Sequence, residues 1–245
     1  MIWRIGNGNV VTEVSSVGAI VHKLFWLGNQ IIAPYREIGE KMRGGIPICF
    51  PFFGSPPDEM KSFQKHGWLR HQELNLVDSS DSRVVFEGEN EPSDEYPWRL
   101  KYKIMVAAYP DYLMMKLATT RLRDGNYFNA PINPGFHPYF CANPENLIAM
   151  CMARVGQDVI TNFPKESEKI LVDENILVRS GGKNVKMVLA GDFNHESFLT
   201  LWSDNNREYF CVEPILTHPE KFNGEGGKFL KEGETSQLIF QLVVL

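Results

Sequence analysis

A chain of 245 residues with 43% hydrophobic and 22% charged residues carries ample apolar material for a core, which excludes a disordered chain. Its formal net charge of -5 argues against nucleic-acid binding, which needs a basic face to displace counterions, though it leaves room for a local arginine cluster. No apolar run is long enough to cross a bilayer, so no membrane partner is expected.

Met1-Ile2-Trp3-Arg4 has no basic segment leading into an apolar one, and a cytoplasmic location is the default expectation. No Ser/Gly-rich or charge-rich linker divides the sequence, so a single domain over residues 1–245 is expected. Cys49, Cys141, Cys151 and Cys211 form no CxxC pair, and three lie in apolar, strand-like runs. Buried free thiols fit that pattern better than a disulfide frame or a zinc site.

In chain order, residues 10–14 and 19–27 are β-branched and aromatic, and Gly28-Asn29 turns the chain back into a strand at residues 30–33. His22 alternates with apolar neighbours as an outward-facing strand residue. Next, Arg43 precedes Gly44-Gly45, where paired glycines let the backbone approach a ligand or take positive φ. The guanidinium suits oxyanions or sugar hydroxyls, or is simply solvated ahead of a buried aromatic strand. The GxxxxGK[ST] spacing of a phosphate loop is missing.

Residues 55–60 read as a loop. Then His66, Trp68 and Arg70 put hydrogen-bond donors beside a ring on which a sugar could stack. Residues 83–122 read as a meander in which Trp98, Leu100, Tyr102, Ile104 and Val106 alternate with Arg99, Lys101, Lys103 and Met105. The basic members belong to a solvated strand face. His137 sits among aromatics between Gly135-Phe136 and Pro138, either satisfied in an aromatic core or available as a proton donor. Residues 143–180 show only short strand candidates, and residues 185–190, 198–202, 209–212 and 237–245 complete an all-β antiparallel sandwich. Glu213 follows an apolar β-prone run, is stiffened by Pro214 and leads toward Thr217-His218-Pro219. It is either a solvated glutamate at a strand end or a positioned base.

Four pieces in order resemble the aldose 1-epimerase (mutarotase) family and its hexose-6-phosphate relatives. They are the run from Arg43 to Pro51, the run from His66 to Arg70, the run from Gly135 to Phe140, and Cys211-Val212-Glu213-Pro214. The run from Leu230 to Thr235 is similar to the family's closing pattern. The resemblance implies a galactose-mutarotase-like β-supersandwich and an isomerase needing no metal or other cofactor. It implies a small sugar or sugar phosphate as partner, and a monomer or weak homodimer.

The resemblance also implies that Glu213 takes the proton of the anomeric hydroxyl, His137 protonates the ring oxygen, and rotation about C1–C2 before reclosure gives the other anomer. An ionised Glu213 and a protonated His137 are then required, a state neighbouring opposite charges would favour, with acid and base expected on opposite sides of the ring. Arg43 and His66 match sugar-binding positions, and Arg70 lies where phosphate-using relatives keep a basic residue. The family's hydroxyl-binding aspartate has no clear counterpart; Glu166, Glu168 and Asp173 are candidates and none is assigned. Whether the sugar is phosphorylated stays open, with glucose-6-phosphate 1-epimerase activity and a non-catalytic sugar-binding role as alternatives.

Overall fold

The computed structural model describes residues 1–56, 60, 62–142, 176–192, 198–203, 208–215 and 228–245, together with the backbone of 153–155, 158–160 and 168–171; of Phe198 it likewise gives the backbone alone. Thr217, His218, Glu166, Asp173 and Cys151 lie outside these residues. Among the described residues the regular structure is strands, with a 3-10 turn at Leu69–His71, another 3-10 residue at Met60 and no α-helix. The all-β antiparallel class expected from the sequence is what forms.

Two large antiparallel sheets account for most of it. The ten-stranded sheet runs Ile2–Asn7, Val10–Ser15, Val21–Trp26, Asn29–Ile32, Tyr139–Cys141, Tyr209–Ile215, Gly135–Phe136 and Ile48–Cys49. Phe198–Trp202 joins it along the other edge of Tyr209–Ile215, and Glu168–Leu171 pairs with Phe198–Trp202. The nine-stranded sheet runs Asp158–Ile160, Ala153–Val155, Ile176–Ser180, Lys183–Gly191, Thr235–Val244, Tyr112–Arg121, Leu100–Ala108, Arg83–Glu89 and Asn75–Ser80.

Period-two sequence makes these strands. In Leu100–Ala108 the side chains of Leu100, Tyr102, Ile104 and Val106 are buried, while Lys101 and Lys103 are exposed. Both lysines reach Glu87 on the neighbouring strand, at 3.1 and 3.4 Å, so this face is a solvated ladder of opposite charges. The two sheets meet through aromatic packing and buried hydroxyls. Phe136 stacks on Phe240 with ring centroids 4.9 Å apart, and each such buried phenyl stabilises the fold by about 1.5–3 kcal/mol. Ser180 Oγ donates to the Ile31 carbonyl at 2.6 Å and lies 3.1 Å from that of Cys141, tying the second sheet to the first.

Two readings of the sequence change here. Glu213 is not at a strand end: the strand runs on through Pro214, opposite Leu199, to Ile215, opposite Phe198. A proline is tolerated there because the ladder on the other edge is already interrupted between Gly135 and Tyr139. Trp68 does not share the surroundings of His137 and Glu213: its half-buried ring packs against Phe50, Phe63 and Tyr96 at 5.8, 5.4 and 5.2 Å, its indole N–H donates to Tyr102 Oη at 3.3 Å, and it lines a cavity with Gln64, His71 and Gln72.

Candidate active site

Register brings the two central side chains together. Gly135 pairs with Ile215 and Tyr139 with Cys211, so His137, two residues after Gly135, falls opposite Glu213, two residues before Ile215. Their atoms Nε2 and Oε1 lie 3.3 Å apart with both side chains buried. The glycine loop holds this arrangement from the other flank, as Pro47 and Gly45 carbonyls accept from the N–H groups of His137 and Tyr139, each at 3.0 Å. Gly44 and Gly45 do adopt positive φ, 89° and 70°. What their bare backbone approaches is protein: a Cβ would meet the Pro34 carbonyl at 2.0 Å and the Val21 carbonyl at 2.6 Å.

Aromatic rings wall the pair. Tyr139 stacks on His137 at 4.7 Å, with Trp202 and Phe53 at 6.2 and 6.3 Å. The His66 ring lies 5.5 Å from that of His137. Its Nδ1 accepts from the Gly54 N–H at 3.1 Å and contacts Cys49 Sγ at 3.3 Å, which leaves the ring proton on Nε2. The Arg43 guanidinium carbon sits 5.3 Å from the Trp202 ring centroid, a cation–π approach. Arg70 stands on the turn Leu69–His71, with Nη2 donating to the Lys65 carbonyl at 3.4 Å.

Burial dominates the electrostatics. It lowers His137 to about 3, with Arg70 first and Arg43 and Lys65 next among the charges acting in the same direction. Burial likewise raises Glu213 well above the ordinary carboxylate range, against the weaker pull of Lys65. His66 is pushed well down by burial, then by His137, Arg70, Lys65 and Arg43. Of the expected opposite charges, Lys65 does favour the ionised carboxylate, but burial outweighs it, and the charges acting on His137 are cations, so both side chains are driven toward their neutral forms.

That pair nevertheless holds one proton in total, the same number as a carboxylate beside an imidazolium, and a single transfer between the two side chains interconverts them. Glu213 Oε1 and His137 Nδ1 are buried without an aligned hydrogen bond, the 3.3 Å approach being a contact only, and Thr200 Oγ1, paired across the ladder from Glu213, is in the same condition. Unsatisfied buried groups cost about 1–3 kcal/mol each, and three in one place mark a site built to meet polar ligand atoms.

A stability prediction follows from His137. Its proton affinity is depressed on folding, so its contribution is present above the unfolded value of 6.5 and is lost as pH falls toward about 3. The melting temperature of His137→Gln should fall less steeply than that of the parent across this window; parallel profiles measured by circular dichroism would contradict the burial of a neutral imidazole.

The structure thus brings His137, Glu213, His66 and Arg43 together and places Arg70 within electrostatic reach. Sequence reasoning missed Lys65, Phe53, Tyr139, Thr200 and Trp202. Tyr139 was accessible from period two, two residues after His137, while Lys65, Thr200 and Trp202 carry no local signal. Glu168 lies on Glu168–Leu171, paired with Leu201, and its side chain is not among those described.

Comparison with known proteins agrees with this architecture. The aldose 1-epimerase family profile matches residues 1–165, and the chain belongs to that family. Among solved structures, a galactose mutarotase related enzyme from Lactobacillus acidophilus superposes with a TM-score of 0.79 at 14% identity, over 100% of this chain and 97% of that one. A galactose mutarotase-like protein from Lactobacillus casei gives 0.75 at 17% identity over 100% of both chains. An aldose epimerase homologue from C. elegans gives 0.71 at 10%, covering 100% and 99%. At such identities these likenesses speak for the fold. A search of curated proteins gives no match. No helix among the described residues is long and apolar enough to cross a membrane.

Proposed function

We propose that this chain is a mutarotase that interconverts the α and β anomers of an aldohexose, with Glu213 as base and His137 as acid. The observation that carries the reading is the 3.3 Å juxtaposition of these two buried groups. The sequence-based expectation had them on opposite sides of the ring. Adjacency fits the reaction better, because the anomeric hydroxyl and the ring oxygen are bonded to the same carbon.

From the carboxylate–imidazolium form, Glu213 takes the O1 proton while His137 gives its proton to O5. The C1–O5 bond breaks, and O1 becomes the aldehyde oxygen. Rotation about C1–C2 presents the other carbonyl face. O5 then attacks C1 and returns its proton to His137 as Glu213 returns the other to O1. Each cycle leaves enzyme and proton count unchanged, so proton transfer between two positioned groups is all the chemistry the residues must supply. The His66 Nε2–H and the Arg43 guanidinium are placed as donors to sugar oxygens, and the walls Phe53, Tyr139 and Trp202 as apolar faces for the ring.

A second reading, a phosphorylated aldose as the preferred substrate, is favoured by the cations. Arg70, Arg43 and Lys65 all act on His137, and among the described residues no acidic side chain lies within ion-pair distance of Lys65 or Arg70. The test is the relaxation of fresh α-anomer, followed by polarimetry or NMR, for glucose, galactose and glucose 6-phosphate in parallel. Acceleration of any of them supports the mutarotase reading; sugar-induced thermal stabilisation without acceleration supports a binding protein instead. If the phosphate is preferred, Lys65→Met should raise KM for glucose 6-phosphate on the order of tenfold, about 1.4 kcal/mol, and leave glucose unaffected. An equal effect on both sugars would remove Lys65 from phosphate recognition.

A further inference from the structure

We propose that His137, Cys211 and Glu213 form a zinc-binding site within the aromatic walls of the candidate active site, and that zinc there blocks the acid/base pair. Metal binding stands independently of the mutarotase reading; the block rests on it.

The donor set is specific in kind. An imidazole nitrogen, a thiol sulfur and a carboxylate oxygen have their ligand atoms all within 4.8 Å of one another, and all three side chains are buried. Around one tetrahedral zinc, with bonds of about 2.0–2.3 Å, donors lie roughly 3–4 Å apart. The His137–Glu213 edge, 3.3 Å, already meets that requirement, and Cys211 Sγ, within 4.8 Å of both ligand atoms, closes on the ion by an inward shift of its side chain.

The sheet supplies the rigidity. Cys211 and Glu213 are alternate residues of one strand and so share a face, and the register with Tyr139 fixes His137 across from them. Glu213, 1% exposed, has in Oε1 an atom with no hydrogen-bond partner among the described residues, and so has His137 in Nδ1. A thiol with an imidazole selects zinc over magnesium or calcium, and three protein ligands leave a fourth position for water.

Charge balance also permits it. The ion displaces the Cys211 thiol proton and the one proton held by the His137–Glu213 pair, so two positive charges leave as two arrive. Arg43, Lys65 and Arg70 therefore face no net increase in charge. Loaded in this way, the His137 nitrogen is committed to the ion, the Glu213 carboxylate is weakened as a base by the bound charge, and the proton they exchange is gone, so sugar turnover and zinc compete.

Cobalt(II) is the probe, titrated into the reduced full-length chain. The expected result is a thiolate-to-cobalt charge-transfer band and tetrahedral visible bands that saturate at one equivalent and are displaced by zinc. Cys211→Ser should lose the charge-transfer band. Zinc should inhibit anomerisation reversibly by EDTA, and Cys211→Ser should resist it by more than the roughly 10–100-fold that loss of a mere supporting partner causes, at unchanged metal-free rate. His137→Gln, checked for folding by circular dichroism, should weaken cobalt binding if the serine variant misfolds. Absence of a thiolate band at one equivalent, or an identical band in Cys211→Ser, would overturn the site. Because the spectrum needs no turnover, a protein with a cobalt band and no anomerase activity would count against the proposed function and leave the site standing.

Discussion

Replacing Glu213 with glutamine should slow catalysed anomerisation by roughly 10²–10⁴-fold, the range that a positioned proton acceptor contributes. The change keeps shape and volume and removes only the ability to carry the proton. It should not unfold the protein, because burial favours the neutral form of this carboxyl, and an amide replaces a neutral acid at small cost. The stability effect has a definite sign. A carboxyl raised on folding contributes stability that is full below its unfolded value of 4.5 and is lost as pH climbs through the folded value. Glu213→Gln removes that loss, so at neutral and alkaline pH the variant should melt at or above the parent temperature.

Because Glu213 and His137 act as a unit, the double variant with His137→Gln should be scarcely slower than either single one. A fully active Glu213→Gln would end the assignment of the base. Additive losses would show that the two side chains serve separate steps and do not exchange one proton.

What the sequence made legible follows from what is local. The alternation of residues 99–106 announced a half-buried strand, and Glu213 and His137 stood out through their immediate neighbours and a resemblance in motif. Their relation did not. Seventy-six positions separate them in the chain, and only the paired register of Gly135 with Ile215 and Tyr139 with Cys211 makes them neighbours. Trp68 misled for the same reason: a tryptophan beside a histidine and an arginine looks like part of their site until the fold packs one side of it on Phe63 and Tyr96 and gives it to a cavity lined by Gln64, His71 and Gln72. Protonation states were least accessible, since they depend on burial summed over several strands and on Lys65 and Arg70, whose charges reach His137 through space. Pro214 shows the converse, a residue whose local rule was right in general and overridden by a gap in the adjacent ladder.

Gly67→Ala should be the most damaging single methyl added near the site. Gly67 has φ of 67°, and a Cβ there would lie 1.9 Å from the Phe50 carbonyl oxygen and 2.4 Å from its carbon. Both obstacles are backbone, and the strand segment carrying them is bridged to Gly67 itself and followed by Phe52, bridged to Asn133. Neither side can yield without breaking pairing, so the loss in stability should be about 3–5 kcal/mol, within the range of severe single substitutions.

Gly28→Ala separates the two causes. Gly28 has φ of 78° with no atom within 4 Å of its would-be Cβ, so it bears the left-handed penalty alone, about 1–2 kcal/mol. Urea denaturation of both variants should therefore differ by the steric part; equal losses would mean that the Phe50 segment moves aside freely. The functional readout should diverge as well. Gly67 follows His66, itself at φ 66°, whose ring is fixed on the Gly54 N–H. Relaxing Gly67 swings that ring away from His137, so anomerisation should fall in the folded fraction of Gly67→Ala and stay at the parent rate in Gly28→Ala.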